Sequence, residues 1–189
     1  MSAESTDMLL GSGDLYIASF NGGTIPENSI LETDANRIGG IKGGATLTYK
    51  PTIYSANDDM RRMKKSTITA EEVIFKSGFL SFDLGELAKL CLGAVYTKGA
   101  NEDVLEGGGG TTIEQYVLRF VHTMDNGLKV RTTIVGIPSN GFELAFSPES
   151  ESTINAEFIA APMNNKGRLF KITKEKNGAS VLNTEKGAK

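Results

Sequence analysis

Over several stretches of the chain, apolar and polar residues alternate with a period of two, the pattern of a strand with one buried face. From Ile41 to Lys50 the alternation is regular: Ile41, Ala45, Leu47 and Tyr49 fall on one face, Lys42, Thr46, Thr48 and Lys50 on the other. Pro51 follows, and a residue that cannot donate to a ladder predicts a bulge or an edge strand. A second run, Ile68–Leu80, places Val73, Phe75 and Phe79 on one face and Glu72, Ile74 and Lys76 on the other. Between them Ser55–Lys65 reads SANDDMRRMKK and is too charged and aperiodic for a core. Residues 41–80 therefore read as a long hairpin with an extended polar loop carrying Asp58, Asp59, Arg61, Arg62, Lys64 and Lys65.

The same reading extends along the chain. Asp14–Phe20 predicts a short strand closed by Asn21-Gly22-Gly23. Asp83 offers an N-cap, with Glu86 three residues on in the position of a capping box. Leu84, Leu87, Ala88, Leu90 and Cys91 then recur at helical spacing, and Gly93 provides a stop. One helix over Leu84–Leu92 is expected, with Cys91 on its buried stripe as a small core residue. Lys98–Gly110, which ends in four consecutive glycines, reads as a loop. Ile113–His122 and Leu128–Ile137 flank an Asn126-Gly127 turn, a strong hairpin signal. Phe142–Phe146 alternates. So does Thr153–Ala161, with Ile154, Ala156, Phe158 and Ala160 opposite Thr153, Asn155 and Glu157. Leu169–Ile172 predicts one more short strand. The expected class is mainly β, a domain with long strands and one helix. The expected organisation is an N-terminal arm over 1–10, one domain over 11–172 and a basic tail over 173–189.

Composition narrows the chemistry. The chain has 189 residues, one Cys, one His and no Trp. A single cysteine excludes an internal disulfide, and zinc sites of the Cys/His type need several such ligands. A triad built on histidine would have only His122 as its base. Met1–Leu10 lacks the basic start and apolar run of a signal peptide, and no stretch is long enough to span a bilayer as a helix. The net charge of −3 does not by itself call for nucleic acid or membrane. The charge is nonetheless segregated. Residues 60–80 hold five bases and two acids, and residues 164–189 hold seven bases and two acids. Residues 81–120 hold six acids and three bases. Unlike ends of identical subunits can meet on such a pattern.

Catalytic templates fail in turn. Gly-x-Ser-x-Gly is absent, and Gly39-Gly40-Ile41-Lys42-Gly43-Gly44 has the wrong spacing for a phosphate loop. Gly11-Ser12-Gly13 lacks the third glycine of a dinucleotide fingerprint. Asp58-Asp59 and Glu71-Glu72 are neighbours, which in a strand point to opposite faces. The aromatic residues alternate with polar ones as core residues do, unlike a stacking platform. No catalytic residue, cofactor or metal ligand is expected. Long strands bring an edge problem, which identical subunits can solve by joining their sheets into a shared barrel. Strands 41–50 and 153–161 carry Thr46, Thr48, Thr153 and Asn155 opposite their apolar faces, as the wall of a water-filled channel would.

Particular motifs point further. Gly11-Ser-Gly-Asp-Leu-Tyr16, the stretch Glu32–Pro51, Glu71-Glu-Val73 and Lys76-Ser-Gly78 are similar to segments of one family. So are Leu84–Leu92, Tyr116–His122, Thr133-Ile-Val-Gly136, Gly141-Phe142 and Asn155-Ala-Glu-Phe158. Over roughly Gly11 to Phe170 the chain resembles the major tail tube proteins of tailed bacteriophages, prophages and phage-tail-like particles of Gram-positive bacteria. The resemblance implies the tail tube fold, two packed antiparallel sheets (a β-sandwich or half-barrel) with one flanking α-helix. It further implies a six-membered ring whose inner strands form one barrel, and rings stacked into a hollow tube that passes double-stranded DNA. Implied partners are further copies of the chain, a tape-measure protein in the lumen, a tail terminator and distal tail or baseplate proteins. The implied location is the virion tail, assembled in the host cytoplasm, with no membrane insertion. Carried onto this sequence, Thr46, Thr48, Lys50, Glu72, Thr153, Asn155 and Glu157 would face the lumen. Asp58, Asp59, Arg61, Arg62, Lys64 and Lys65, together with both termini, would contact the next ring. Family lumens tend to be acidic; Lys42, Lys50 and Lys76 on these faces depart from that. Alternatives are the inner tube of a contractile tail, tailocin or injection machine, and an adhesive or carbohydrate-binding β-sandwich module.

Overall fold

The structure, a computed structural model, describes residues 13–57, 64–80, 83–144, 146 and 153–176. Its strands are β1 (Asp14–Ser19), β2 (Ile41–Asn57), β3 (Lys64–Phe79), β4 (Val95–Lys98), β5 (Asp103–Glu106), β6 (Tyr116–Thr123), β7 (Lys129–Pro138), β8 (Ile154–Ala161) and β9 (Phe170–Lys174). Two short helices, α1 (Asn28–Leu31) and α2 (Leu84–Ala88), lie between strands. The protein is mainly β, with a large antiparallel sheet and a second small one.

The large sheet has seven strands in the order β1-β6-β7-β8-β3-β2, and β9 also pairs with β7. β7 shares one edge between two partners: Val130–Ile134 pairs with β9 and Val135–Pro138 with β8. The β6–β7 hairpin closes as its Asn-Gly predicts. Met124 N–H donates to Leu128 O at 2.9 Å, Gly127 N–H to Met124 O at 2.8 Å, and Asn126 Oδ1 accepts from Leu128 N–H at 3.0 Å.

One face of this sheet carries the main core. Leu15, Ile17, Val73, Phe75, Phe79, Leu118, Ile134 and Phe158 are buried there, covered by Leu87 and Leu90 and by Leu105 of β5. Burying each of the large side chains contributes roughly 1.5–3 kcal/mol. The sheet curls around this core, so that the Tyr49 ring on edge strand β2 meets Phe170 on β9 with centroids 5.8 Å apart. The opposite face is divided. Toward β1, β6 and β7 it is covered by the segment containing α1, with Leu31, Val117, Val135, Ala161 and Met163 buried between them. Toward β8, β3 and β2 it has no second layer among the described residues.

The alternating faces of the 41–80 hairpin and of β8 stand as expected, and Pro51 does lie on the edge strand. Gly43 and Gly44, at φ +79° and +69°, form a two-residue bulge between the Lys42–Gly78 and Ala45–Ser77 pairs. An even insertion leaves the faces in phase, which is why the alternation survives it.

Several expectations are corrected. Among the described residues there are two helices, and α2 stops at Ala88, followed by turns to Gly93. Asp83 caps it through Gly85 N–H at 2.7 Å and Glu86 N–H at 3.2 Å, but Cys91 is only half-buried. Gly93 has φ +71°, and a Cβ there would lie 2.3 Å from Gly110 Cα. The four-glycine run thus ends where two backbones touch, a requirement that side chains would break. The 98–110 stretch holds half of the β4–β5 sheet, not only a loop. Residues 142–144 form no strand, although Phe142 and Leu144 still pack against the core. The proposed loop 55–65 is shorter, because both strands run into it: Ser55 pairs with Ser66 and Asn57 with Lys64. Residues 1–12 and 177–189 lie outside the described residues.

Candidate functional site

Seven residues were expected on one polar wall, and register places six of them on a single sheet face. Across β2 and β3, Thr46 pairs with Lys76, Thr48 with Ile74 and Lys50 with Glu72. Across β3 and β8, Lys76 pairs with Glu157 and Gly78 with Asn155. Thr153, the seventh, lies just before β8, with its methyl against Gly78. The period of two delivers this grouping, because every one of these residues points away from the Phe75–Phe158 core.

Two lysines on the face stand opposite acids. Lys76 Nζ forms an ion pair with Glu157, and the Lys50 and Glu72 positions oppose each other. The Lys76 ammonium and, more weakly, the Ser139 hydroxyl hold the Glu157 carboxyl below the usual carboxylate range. Lys50 and Lys76, two of the three basic residues that depart from an acidic wall, therefore sit beside acids. Reading the sequence by strands missed two features of this face. Ile159, 41% exposed, lies opposite Ile74 and adds an apolar patch. Asn140 braces β8 where β7 leaves it, donating from Nδ2 to Asn155 O at 2.8 Å and accepting at Oδ1 from Glu157 N–H at 3.0 Å. Its side chain continues the ladder beyond Pro138, which cannot donate to one.

Beyond this wall the hairpin becomes a projecting ribbon. Every residue of Tyr49–Asn57 and Lys64–Glu72 is exposed, on both faces. At strand rise its eight-residue length past Tyr49 is roughly 25 Å. Ile53 and Ile68 face each other, 61% and 55% exposed, and Tyr54 is 61% exposed. The Ser55 and Ser66 hydroxyls are 2.8 Å apart, and Tyr49 O–H donates to Glu71 at 2.5 Å. Lys64 and Lys65, expected in a loop, are the first residues of β3 at the far end of the ribbon. Asp58, Asp59, Arg61 and Arg62 lie outside the described residues.

A second polar cluster lies on the covered half of the same face. Arg131 Nε donates to Glu32 Oε1 at 2.6 Å, Arg119 Nη1 reaches the same oxygen at 3.3 Å, and Arg131 Nη1 meets Glu175 at 2.6 Å. Arg119 also donates to Asn28 Oδ1 at 2.6 Å and Thr133 Oγ1 at 3.1 Å. This cluster ties the α1 segment and the end of β9 to β6 and β7. Among the described residues, no three His, Cys, Asp or Glu side chains converge as metal ligands.

Compared with known proteins, the chain matches no protein-family model and no curated protein.

Proposed function

We propose that this protein is a structural subunit that assembles with copies of itself into hexameric rings stacked as a hollow tail tube, through which DNA is delivered. One observation carries the reading: the β2–β3 hairpin. At its base it adds a polar sheet face, with Lys76 and Lys50 opposite acids, next to an edge that no other described strand pairs. At its end it becomes a ribbon that no described residue covers. A two-stranded ribbon is marginal alone in water, and a long bare edge invites another chain. Self-assembly supplies both needs. A wall of Thr46, Thr48, Asn155 and paired Lys76–Glu157 gives polyanionic DNA little to hold, because few basic groups are free to exchange for its counterions.

In this reading the partners are the tape-measure protein within the lumen and terminator and distal or baseplate proteins at the ends. The protein acts in the virion tail and has no catalytic role. The inner tube of a contractile tail would use the same subunit logic, with a sheath outside. The test is negative-stain electron microscopy of the purified, concentrated protein, alone and with an isolated baseplate complex. Six-fold rings or hollow tubes of regular repeat are expected. Monomers that also fail to add onto the baseplate would overturn the reading and favour a binding module.

A further inference from the structure

The covered half of the sheet face holds an open cleft of about 560 Å³ between the α1 segment and the strands beneath it. Register sets its floor. Arg119 of β6 pairs with Thr133 of β7, and Thr133 pairs with Lys171 of β9. The three therefore stand in one row across neighbouring strands, about 4.8 Å apart at each step. Asn28 lines the lip, beside Ile25 and Pro26.

Donors outnumber acceptors along this row. Arg119 is 6% exposed and uses Nε on Thr133 and Nη1 on Asn28 and Glu32; its Nη2 has no acceptor among the described residues. Thr133 is 3% exposed, and its oxygen accepts from Arg119 while its hydroxyl proton has no described acceptor. Lys171 is exposed and forms no ion pair among the described residues. The nearby acids are engaged by other groups. Glu32 accepts from Arg131 at 2.6 and 3.3 Å, and Glu175 is held by Arg131 and by Lys129 N–H. Glu27 is exposed at the rim. A buried guanidinium and hydroxyl with donors to spare, beside an ammonium, favour an anion.

We propose that this cleft binds a phosphate group, of inorganic phosphate or of a small phosphomonoester. The donors come from three strands with Asn28 at the lip, and a phosphate offers them three or more acceptor oxygens where a carboxylate offers two. The cleft is larger than one phosphate ion, which leaves room for a small organic body along Ile25 and Pro26. The bound group would join β9 to the α1 segment. This site does not depend on self-assembly.

The test titrates the full chain with inorganic phosphate and with glycerol 3-phosphate by isothermal calorimetry, with sodium chloride as the reference salt at constant ionic strength. Saturable binding of one phosphate per chain is expected. Tighter binding of glycerol 3-phosphate would assign the site to a phosphomonoester; equal or tighter binding of phosphate would assign it to the free ion. Lys171→Ala alters an exposed side chain, so it should leave the circular dichroism unchanged and weaken binding at least about tenfold. The ligand should also slow hydrogen exchange of the β9 amides in the unmodified protein at least about threefold, and not in the variant. No saturable binding of either probe, unchanged affinity in Lys171→Ala, or no slowing in β9 would overturn the site.

Discussion

Glu32 is the acid on which the buried polar cluster turns. It is 12% exposed and sits between Arg119 and Arg131, 7% and 11% exposed. Burial works against the charged form of Arg119, and Glu32 opposes that effect. Removing one partner of a buried ion pair leaves the other charge uncompensated, which costs about 3–5 kcal/mol. Glu32→Ala should therefore lower stability to urea by about 3 kcal/mol, more than any single substitution on the exposed ribbon. A loss within error of zero would mean that water satisfies the two guanidinium groups. Glu175, at the edge of the cluster, behaves differently. Its hydrogen bonds from Arg131 and from Lys129 N–H hold its carboxyl below the usual range. A depressed folded pKa contributes stability above the ordinary carboxylate pKa of about 4, and that contribution is lost as pH falls through the lower folded value. β9 should thus become susceptible to pepsin below about pH 4 before the rest of the sheet, and Glu175→Gln should remove that pH dependence. None of this cluster was legible in the sequence. Glu32 and Arg119 are 87 residues apart, and neither lies on a patterned stretch that names the other.

At the level of elements, alternation revealed the long hairpin, β8 and the β6–β7 pair because each keeps one face on the core. The positions Phe75, Phe79 and Phe158 and the wall residues opposite them follow directly from that period. It failed where burial does not alternate. β4 and β5 are four residues each and rest on the core through few side chains, so they merged with the neighbouring glycines into an apparent loop. The ribbon was misjudged for the opposite reason: exposed on both faces, it has no apolar period, and an extra residue at Thr69 shifts its register from that of the hairpin's base. That exposure has a consequence. Ile53→Thr with Ile68→Thr should change monomer stability by no more than about 0.5 kcal/mol, since both are exposed, but should weaken self-association. Equal losses of both would show that the ribbon packs within its own molecule. Gly136 shows the reverse sensitivity. A Cβ there would meet Phe158 Cβ at 2.9 Å and Leu118 Cδ1 at 2.8 Å, so Gly136→Ala should cost about 1–3 kcal/mol in a thermal or urea melt.

For the whole molecule, the decisive asymmetry is between the two halves of one sheet face. One half is roofed by the α1 segment and pinned by Arg119 and Arg131; the other, over β8, β3 and β2, has no cover among the described residues. Bare and polar is what the inside of a water-filled tube requires. On this account the Lys76–Glu157 pair keeps the wall from gripping DNA. Glu157→Gln would add one unpaired positive charge per subunit, and ejection should slow most at low salt, where counterion release is strongest. Lys76→Gln added to it should restore the rate. The claim that this half-face lines a lumen can be tested directly by chemical labelling. In a Cys91→Ser background, Thr46→Cys places one thiol on the exposed wall. A small maleimide should label it in free subunits and in assembled particles alike. A maleimide carrying a long polyethylene glycol chain should label free subunits but not the assembled form. Full labelling of assembled particles by the large reagent would place this face on the outside and contradict the tube.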